Sequence, residues 1–209
     1  MKSVETKRPN DGWLEVQLSE DEVSHLWKCI DTKGDLKTSF RNISSSFVID
    51  DVDEWFHDNV LIKLYDKYSY EFRNLGLGYG LKGKHPYYLK DFWVNYQKKH
   101  EFNPTHSHGG VYSFVVWMKI PTDWRDQYKL PFLKGIRFGE KKVSSFEFLI
   151  PRLDFRGFLA PYYLMSPELE GTMVFFPSSM FHQVYPFYDC EEDRISISGN
   201  IGIDTSIES

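Results

Sequence analysis

The sequence predicts a mostly β domain with helices at its N-terminus, folded as a double-sheet jelly roll. Apolar residues recur at helical spacing only in the front part of the chain, and from about Tyr87 the period changes to two. Many short apolar segments then follow one another, as in two packed sheets backed by helices. Hydrophobic residues make up 41% of the 209 residues and aromatic residues 17%, which suffices for a sizeable core.

Charge and cysteine content narrow the class of protein. The formal net charge is -5, and no basic block suggests binding to nucleic acid through its phosphates. Cys29 and Cys190 lie far apart without metal-like spacing, so we expect two reduced thiols. No apolar signal region and no run near the roughly 20 residues of a membrane span is present. We expect a soluble cytoplasmic protein that does not act at a membrane, with its oligomeric state open.

The first helix is predicted from its N-terminal capping residues. A short apolar alternation over residues 13–18 precedes Ser19, and Ser19 with Glu22 has the spacing of a capping box. Apolar residues then recur at helical spacing, which predicts an amphipathic helix over residues 20–32.

A second helix is predicted to begin near Asp51 or Asp53 and to end at residues 74–76. Its apolar side would pack against a sheet. Each of the two helices carries one histidine, His25 and His57, and we interpret both as surface or packing residues.

Strands are predicted after residue 86. The run over residues 112–120 is apolar throughout, which indicates a strand covered on both faces. Residues 122–142 are polar and resemble a long connection that could cover a site entrance. We predict one compact domain, in which a helical region, residues 1–86, packs on a jelly-roll catalytic core, residues 87–209. Further strands are expected over residues 92–97, 146–150, 159–164, 173–176 and 195–203.

Two histidines, His106 and His108, form the first candidate site. On an extended backbone, side chains two residues apart point the same way, whereas on a helix they would diverge by about 200°. Asn103-Pro104 before the pair and Gly109-Gly110 after it exclude a helix. Both imidazoles can therefore face one point at a strand end. By itself, the pair also fits two surface histidines in a glycine-rich turn.

His182 is the third candidate ligand. Gly171 opens a predicted strand, Pro177 closes it, and His182 follows five residues later. In jelly-roll metal proteins a histidine at this position lies across the barrel from the first pair. Imidazole is the commonest metal ligand among side chains at neutral pH, and three convergent imidazoles suit Fe, Cu, Zn or Ni.

The strand that begins at Arg194 has one polar face. Arg194, Ser196, Ser198 and Asn200 alternate with isoleucines. The polar face either meets solvent, as in an ordinary strand, or lines a pocket. In a pocket, Arg194 would bind a carboxylate through two hydrogen bonds and Ser196 would add a hydroxyl donor.

Four segments together resemble a family of 2-oxoglutarate/Fe(II)-dependent oxygenases in the prolyl-hydroxylase-like superfamily, with bacterial and phage members. The resemblance extends over roughly residues 87–203. It implies a double-stranded β-helix that uses iron(II), 2-oxoglutarate and dioxygen and hydroxylates a substrate while 2-oxoglutarate is decarboxylated to succinate. The matching segments are residues 92–108, 113–121, 175–184 and 194–201.

The resemblance also implies roles for individual residues. His106 and His182 correspond to iron ligands, and Arg194 corresponds to the residue that pairs with the C5 carboxylate of 2-oxoglutarate. Ser196 would assist Arg194, and Asn95 on the interior face would be a further contact to 2-oxoglutarate.

The third ligand departs from the superfamily pattern. A carboxylate usually stands where this chain has His108, and a neutral imidazole leaves the metal centre one unit more positive. We take His106 and His108 together as ligands because the family keeps that pair as a unit. In the alternative register, His108 is the first ligand and Gly110 takes the carboxylate position, which leaves an open coordination position as in halogenases.

Two other classes of protein share the jelly roll. A cupin often has a glutamate three or four residues after its histidine pair, where this chain has Val111 and Tyr112, and a cupin has no need of Arg194. A non-catalytic binding module is the other alternative. For the oxygenase, the primary substrate, a small molecule or a peptide, is not apparent from the sequence.

Overall fold

Two antiparallel β-sheets face each other in the structure, a computed structural model that describes residues 3–7, 12–34, 44–72, 75, 87–152 and 157–204. This arrangement confirms the predicted mostly β jelly roll with N-terminal helices. The strands in chain order are β1 (Ser3–Lys7), β2 (Trp13–Gln17), β3 (Ser45–Val48), β4 (Tyr87–Gln97), β5 (Asn103–His106), β6 (Tyr112–Lys119), β7 (Ser145–Pro151), β8 (Phe158–Leu159), β9 (Tyr162–Leu164), β10 (Thr172–Pro177), β11 (Phe181–Val184) and β12 (Arg194–Ile203).

The larger sheet has seven strands in the order β1-β2-β10-β6-β12-β4-β3. The smaller sheet has the order β5-β11-β7-β8, and β9 also pairs with β7. Three strands of the larger sheet, β1 to β3, come from the part of the chain before residue 87, which therefore contributes strands as well as helices. The domain division at residue 86 stays a prediction.

The helices lie mainly before β4. The first, α1 (Glu20–Asp31), begins with the predicted capping box: the Ser19 N–H donates to Glu22 Oε2 at 2.7 Å, and the Ser19 hydroxyl accepts from the Glu22 N–H. Among the described helices, none has the length and apolar character needed to cross a bilayer. The remaining helical segments are a 3-10 turn (Val52–Glu54), a π-helical turn (His57–Leu61), α2 (Ile62–Glu71), α3 (Trp124–Gln127) and 3-10 turns over Pro131–Leu133, Phe138–Glu140 and Pro167–Leu169.

The predicted second helix is broken where it begins. Asp53 and Glu54 have φ values of 58° and 53°, in the left-handed region, so the chain bends before the π-helical turn and α2 follow. Helix α2 ends at Glu71. The predicted terminators Asn74 and Gly76 lie outside the described residues.

The larger sheet is buried on both faces. Its outer face packs against the helices in an apolar cluster that includes Phe56 and Leu64 from the helical part and Phe114 and Ile197 from the sheet. Gly199 allows this close packing, because a Cβ there would lie 2.5 Å from the ring of Phe114. The inner face meets the smaller sheet in a second cluster that includes Trp117, Phe146, Phe148 and Phe176. The space between the sheets next to this second cluster holds the site.

Candidate metal centre and carboxylate pocket

The smaller sheet brings His106 and His182 side by side. His106 ends β5 and stands directly opposite His182 in the antiparallel pairing of β5 with β11. The centroids of the two imidazole rings are 4.3 Å apart. Residues directly opposite each other on neighbouring strands point to the same face, so both rings enter the space between the sheets.

His108 joins them from the turn that follows β5. Its N–H donates to the carbonyl of Ser178 at 2.8 Å, which fastens this turn to the loop before β11. Gly110 in the same turn has a φ of +116°, and a Cβ there would lie 2.6 Å from the carbonyl oxygen of Ile201, so the turn requires glycine. The centroid of the His108 ring lies 5.0 Å from each of the other two.

Backbone carbonyls orient two of the rings. Nδ1 of His106 lies 2.7 Å from the carbonyl oxygen of Pro104, and Nδ1 of His182 lies 3.0 Å from that of Met180. A carbonyl can only accept, so each Nδ1 carries the proton and donates. Each Nε2 therefore keeps a lone pair, and a hydrogen bond of this kind is typical of metal-binding histidines.

Distances between the imidazole nitrogens suit a shared metal ion. The ligand atoms of the three histidines all lie within 4.8 Å of one another, and Nε2 of His108 is 3.2 Å from Nε2 of His182. Metal–nitrogen bonds of about 2.0–2.1 Å place two ligand nitrogens roughly 3.0–3.4 Å apart. Among the described residues, no carboxylate belongs to this group.

Burial keeps His182 neutral. The rings of Phe146 and Phe176 lie 5.5 and 5.1 Å from its ring, centroid to centroid, and exclude water from it. Burial, followed by the nearby imidazoles of His106 and His108, holds the pKa of His182 well below its usual 6.5. A neutral imidazole is the form that binds a metal, and three of them make a donor set suited to Fe(II) and other divalent transition metals.

One cavity contains all the site residues predicted from the sequence. Its lining combines the histidines of the smaller sheet with polar side chains from β4 and β12 of the larger sheet. None of the residues described within 122–142 lines it. The predicted residues that do are His106, His108, His182, Arg194, Ser196 and Asn95.

Arg194 is a buried cation, and one of its guanidinium nitrogens lacks a hydrogen-bond partner. Its side chain is 3% exposed and stacks on Phe187, with the guanidinium carbon 4.8 Å from the ring centroid. Nη1 donates to Gln97 Oε1 at 3.3 Å and Nη2 to Ser144 Oγ at 2.8 Å, whereas Nε has no hydrogen-bond partner. No salt bridge joins it to an acidic residue in the part of the chain that the structure describes.

The environment of Arg194 therefore suits an anionic ligand. Burial lowers the pKa of Arg194 to about 9, because the charged form is removed from water without a compensating carboxylate. A buried, unpaired charge is unfavourable, and a carboxylate from a bound molecule would both neutralise it and supply an acceptor. A carboxylate bound at Arg194 would share this cavity with the three histidines.

Asn95 is occupied by protein partners. Its Oδ1 accepts from Trp93 Nε1 at 3.0 Å and from the Ser46 hydroxyl at 2.7 Å. Its Nδ2 donates to Ser198 Oγ at 3.2 Å and lies 3.4 Å from Ser196 Oγ. The amide thus holds the two serines of β12 beside Arg194.

Sequence reasoning missed several polar and aromatic residues of the cavity. Trp93 and Gln97 share the inward face of β4 with Asn95 and were not among the predicted site residues, whereas Ser198 was already placed on the polar face of β12 with Arg194. The period-two alternation along both strands indicated that these residues share a face with the predicted site residues. Ser144 had no such signal, because it lies in a loop and meets Arg194 only through the fold.

A family model matches residues 91–200 of the chain, and its description is 2OG-Fe(II) oxygenase. The matched region begins in β4 and ends in β12, so it contains the three histidines and Arg194. No curated protein matches the sequence.

Solved structures of the same fold include several oxygenases. A prolyl-4-hydroxylase of Pseudomonas putida has a TM-score of 0.53 and 14% identity, with 90% of this chain and 91% of that chain covered. The non-haem α-ketoglutarate-dependent epimerase SnoN of nogalamycin biosynthesis has a TM-score of 0.55 and 13% identity, with 93% and 79% covered. At these identities the likeness concerns the fold, which is the double-stranded β-helix.

Proposed function

Because the chain belongs to the 2OG-Fe(II) oxygenase family, we propose that His106, His108 and His182 hold its iron(II) and that Arg194 binds the C5 carboxylate of 2-oxoglutarate. The enzyme uses iron(II), 2-oxoglutarate and dioxygen. The observation that carries the residue assignment is the buried guanidinium of Arg194, with its unpartnered Nε, in the same cavity as three convergent imidazoles.

The bound iron supplies the reaction of dioxygen with 2-oxoglutarate, which yields succinate and carbon dioxide and oxidises the substrate. Side chains of the site are already held in place for this reaction before the ligands bind. Bonds from Nδ1 of His106 and His182 to backbone carbonyls leave the lone pair of each Nε2 available, so these nitrogens would hold the ion. Arg194 orients the cosubstrate through its far carboxylate, Ser196 adds a hydroxyl donor, and Asn95 positions that serine.

Hydroxylation of the primary substrate is the outcome we propose. Oxygenases of this family act on small-molecule or peptide substrates. The aromatic rings around His182 exclude water from the centre, which favours oxidation of a bound substrate over loss of oxidising equivalents to solvent. The exposed ring of Phe102 lines the cavity and would contact a substrate that enters there.

Loss of the Arg194 charge tests the proposed cosubstrate site. We expect Arg194→Met to keep iron(II) but to bind 2-oxoglutarate about 10- to 150-fold more weakly, since a charge-assisted contact contributes about 1.5–3 kcal/mol. Succinate release by the iron-loaded protein should fall in parallel. Titration of the iron-loaded, oxygen-free protein with 2-oxoglutarate measures the affinity.

Arg125→Met is the matched control, because Arg125 is an exposed arginine paired with Asp123 and Glu168 outside the cavity. It should bind 2-oxoglutarate like the unaltered protein. Equal affinity in Arg194→Met and Arg125→Met would show that Arg194 does not bind the cosubstrate.

The role of His108 is tested by two substitutions. All three imidazoles converge, which favours His106 and His108 as joint ligands over the register in which His108 and Gly110 would act together. We expect His108→Asp to retain iron(II), because it creates the usual two-histidine, one-carboxylate set, and His108→Leu to lose at least about tenfold in iron affinity. Competition with a metal-binding dye measures both. Unchanged iron affinity in His108→Leu would remove His108 from the ligand set.

A further inference from the structure

A second group of metal-binding side chains lies outside the cavity, in the N-terminal helical part. His25 and Cys29 are four residues apart on α1 and so share one face of the helix. Nε2 of His25 is 3.3 Å from Cys29 Sγ and 3.1 Å from Asp51 Oδ1. The ligand atoms of the three residues all lie within 4.8 Å of one another.

Hydrogen bonding alone accounts poorly for this convergence. A single imidazole nitrogen carries at most one proton, yet Nε2 of His25 faces both a thiol sulfur and a carboxylate oxygen. If that proton is directed at Asp51, the sulfur of the fully buried Cys29 gains little from its approach to the same nitrogen and keeps a hydrogen bond with the backbone of Val52. A cation at the point where the three atoms converge would satisfy all of them at once.

The surrounding structure already fixes the three side chains. Oδ1 and Oδ2 of Asp51 accept from the N–H groups of Phe56 and His57 at 2.9 and 2.8 Å. The ring of His25 stacks on Trp55, with centroids 4.6 Å apart. Metal sites need ligands held by such outer contacts, because the ordering cost is then met before the ion arrives.

We propose that His25, Cys29 and Asp51 form a second metal site, which takes zinc or a similar divalent cation that accepts a thiolate ligand. Tetrahedral zinc, with bonds of about 2.0–2.3 Å, places neighbouring nitrogen, oxygen and sulfur ligands roughly 3.3–3.6 Å apart. The observed distances of 3.1 and 3.3 Å are within a few tenths of an ångström of these values. Thiolate selects zinc over iron(II), so the two sites would prefer different metals.

A groove borders the Asp51 side of this site. Asp51 lines it together with Asp50, Glu54, Asp91 and Lys90, so four carboxylates against one lysine favour the approach of a cation. A water or an oxygen ligand from the groove side can complete the coordination. The bound ion would join α1 to the turn that precedes the π-helical segment, so its main effect would be on stability.

Cobalt(II) provides the test, because a cobalt–thiolate bond gives a near-ultraviolet charge-transfer band that imidazole ligands do not. The background protein is His182→Ala/Cys190→Ser, which disables the histidine centre and leaves Cys29 as its one thiol. We expect this protein to bind one cobalt ion per chain and to show the charge-transfer band. When Cys29→Ser is added to this background, the band should disappear and cobalt should bind at least about 100-fold more weakly. His25→Gln should weaken binding similarly.

Zinc should also raise the melting temperature of the background protein by roughly 5 °C. It should leave the melting temperature unchanged when Cys29→Ser is added. Zinc X-ray absorption needs no further variant and should show one sulfur at about 2.3 Å. Circular dichroism checks that each protein is folded. Absence of the cobalt band and of a sulfur ligand in the folded background protein would overturn the proposal, as would a band that persists in Cys29→Ser.

Discussion

Strand β12 places opposite kinds of side chain on the two faces of the larger sheet, and both kinds are buried. On the outer face, Ile197 of β12 is fully buried in hydrocarbon beneath the helices, together with Phe114. On the inner face, Arg194 of the same strand is 3% exposed, and Asn95 beside it is 8% exposed. Period-two alternation along a single strand separates the two environments.

Along β12, the difference separates the positions that maintain the fold from those that line the site. Burial of hydrocarbon stabilises the folded state, whereas burial of a polar group is unfavourable unless its hydrogen bonds are complete. Nε of Arg194 has no partner, so the inner face is not optimised for the ligand-free protein. Substitutions at the polar inward positions of β4 and β12 should therefore act on ligand binding, and those at the apolar outward positions on the free energy of unfolding.

Removal of a proposed iron ligand, which enters the same cavity from the smaller sheet, should have the largest effect. We expect His182→Ala to lose bound iron(II), with affinity reduced at least about 100-fold, because two remaining imidazoles hold the ion weakly. Metal analysis after gel filtration of iron-loaded protein measures this. His100→Asn is a suitable control, since His100 is exposed outside the cavity and asparagine tolerates its φ of 70°. Equal iron content in the two variants would exclude His182 as a ligand.

On the outer face, Ile197→Ala should lower the free energy of unfolding by about 2–5 kcal/mol, because it leaves a cavity beneath the helices. Urea unfolding of the metal-free protein measures the loss. Ile195→Ala lies on the same face of the same strand but is only partly buried, so its loss should be smaller. If Ile197→Ala instead left stability intact and abolished 2-oxoglutarate binding, the division between the faces would be wrong.

Asn95→Ala should have the smallest effect and distinguishes positioning from direct contact. Since Asn95 donates to Ser198 and lies beside Ser196, we expect a two- to tenfold loss of 2-oxoglutarate affinity, or about 0.5–1.5 kcal/mol, with unchanged iron binding. Ser46→Ala removes one donor to the Asn95 amide and should have a still weaker effect. A loss as large as that of Arg194→Met would indicate that Asn95 contacts the cosubstrate itself.

Local pattern was sufficient to predict much of this architecture. The alternation from Arg194 to Asn200 separated the polar face of β12 from its apolar face, and the capping box at Ser19 identified the start of α1. Both signals depend on neighbours within a few residues, which the sequence displays directly. The extended geometry of the His106 and His108 pair followed from its flanking proline and glycines in the same way.

Contacts between distant segments were not apparent from the sequence. The pairing of β5 with β11 puts His106 opposite His182, but neither short strand has an apolar alternation long enough to reveal it. Ser46 reaches Asn95 only because β3 adds to the edge of the larger sheet beside β4. The convergence of His25 with Asp51 likewise depends on how α1 packs against the following turn.

Pro104 occupies an unusual place in the smaller sheet. Among the described strands, β5 lies at the edge of that sheet, and the exposed Pro104 is its second residue. An open strand edge can recruit the edge of another molecule and start aggregation, but proline has no N–H to offer such a partner. The residue whose carbonyl orients His106 thus also leaves β5 with one N–H fewer for pairing with another strand.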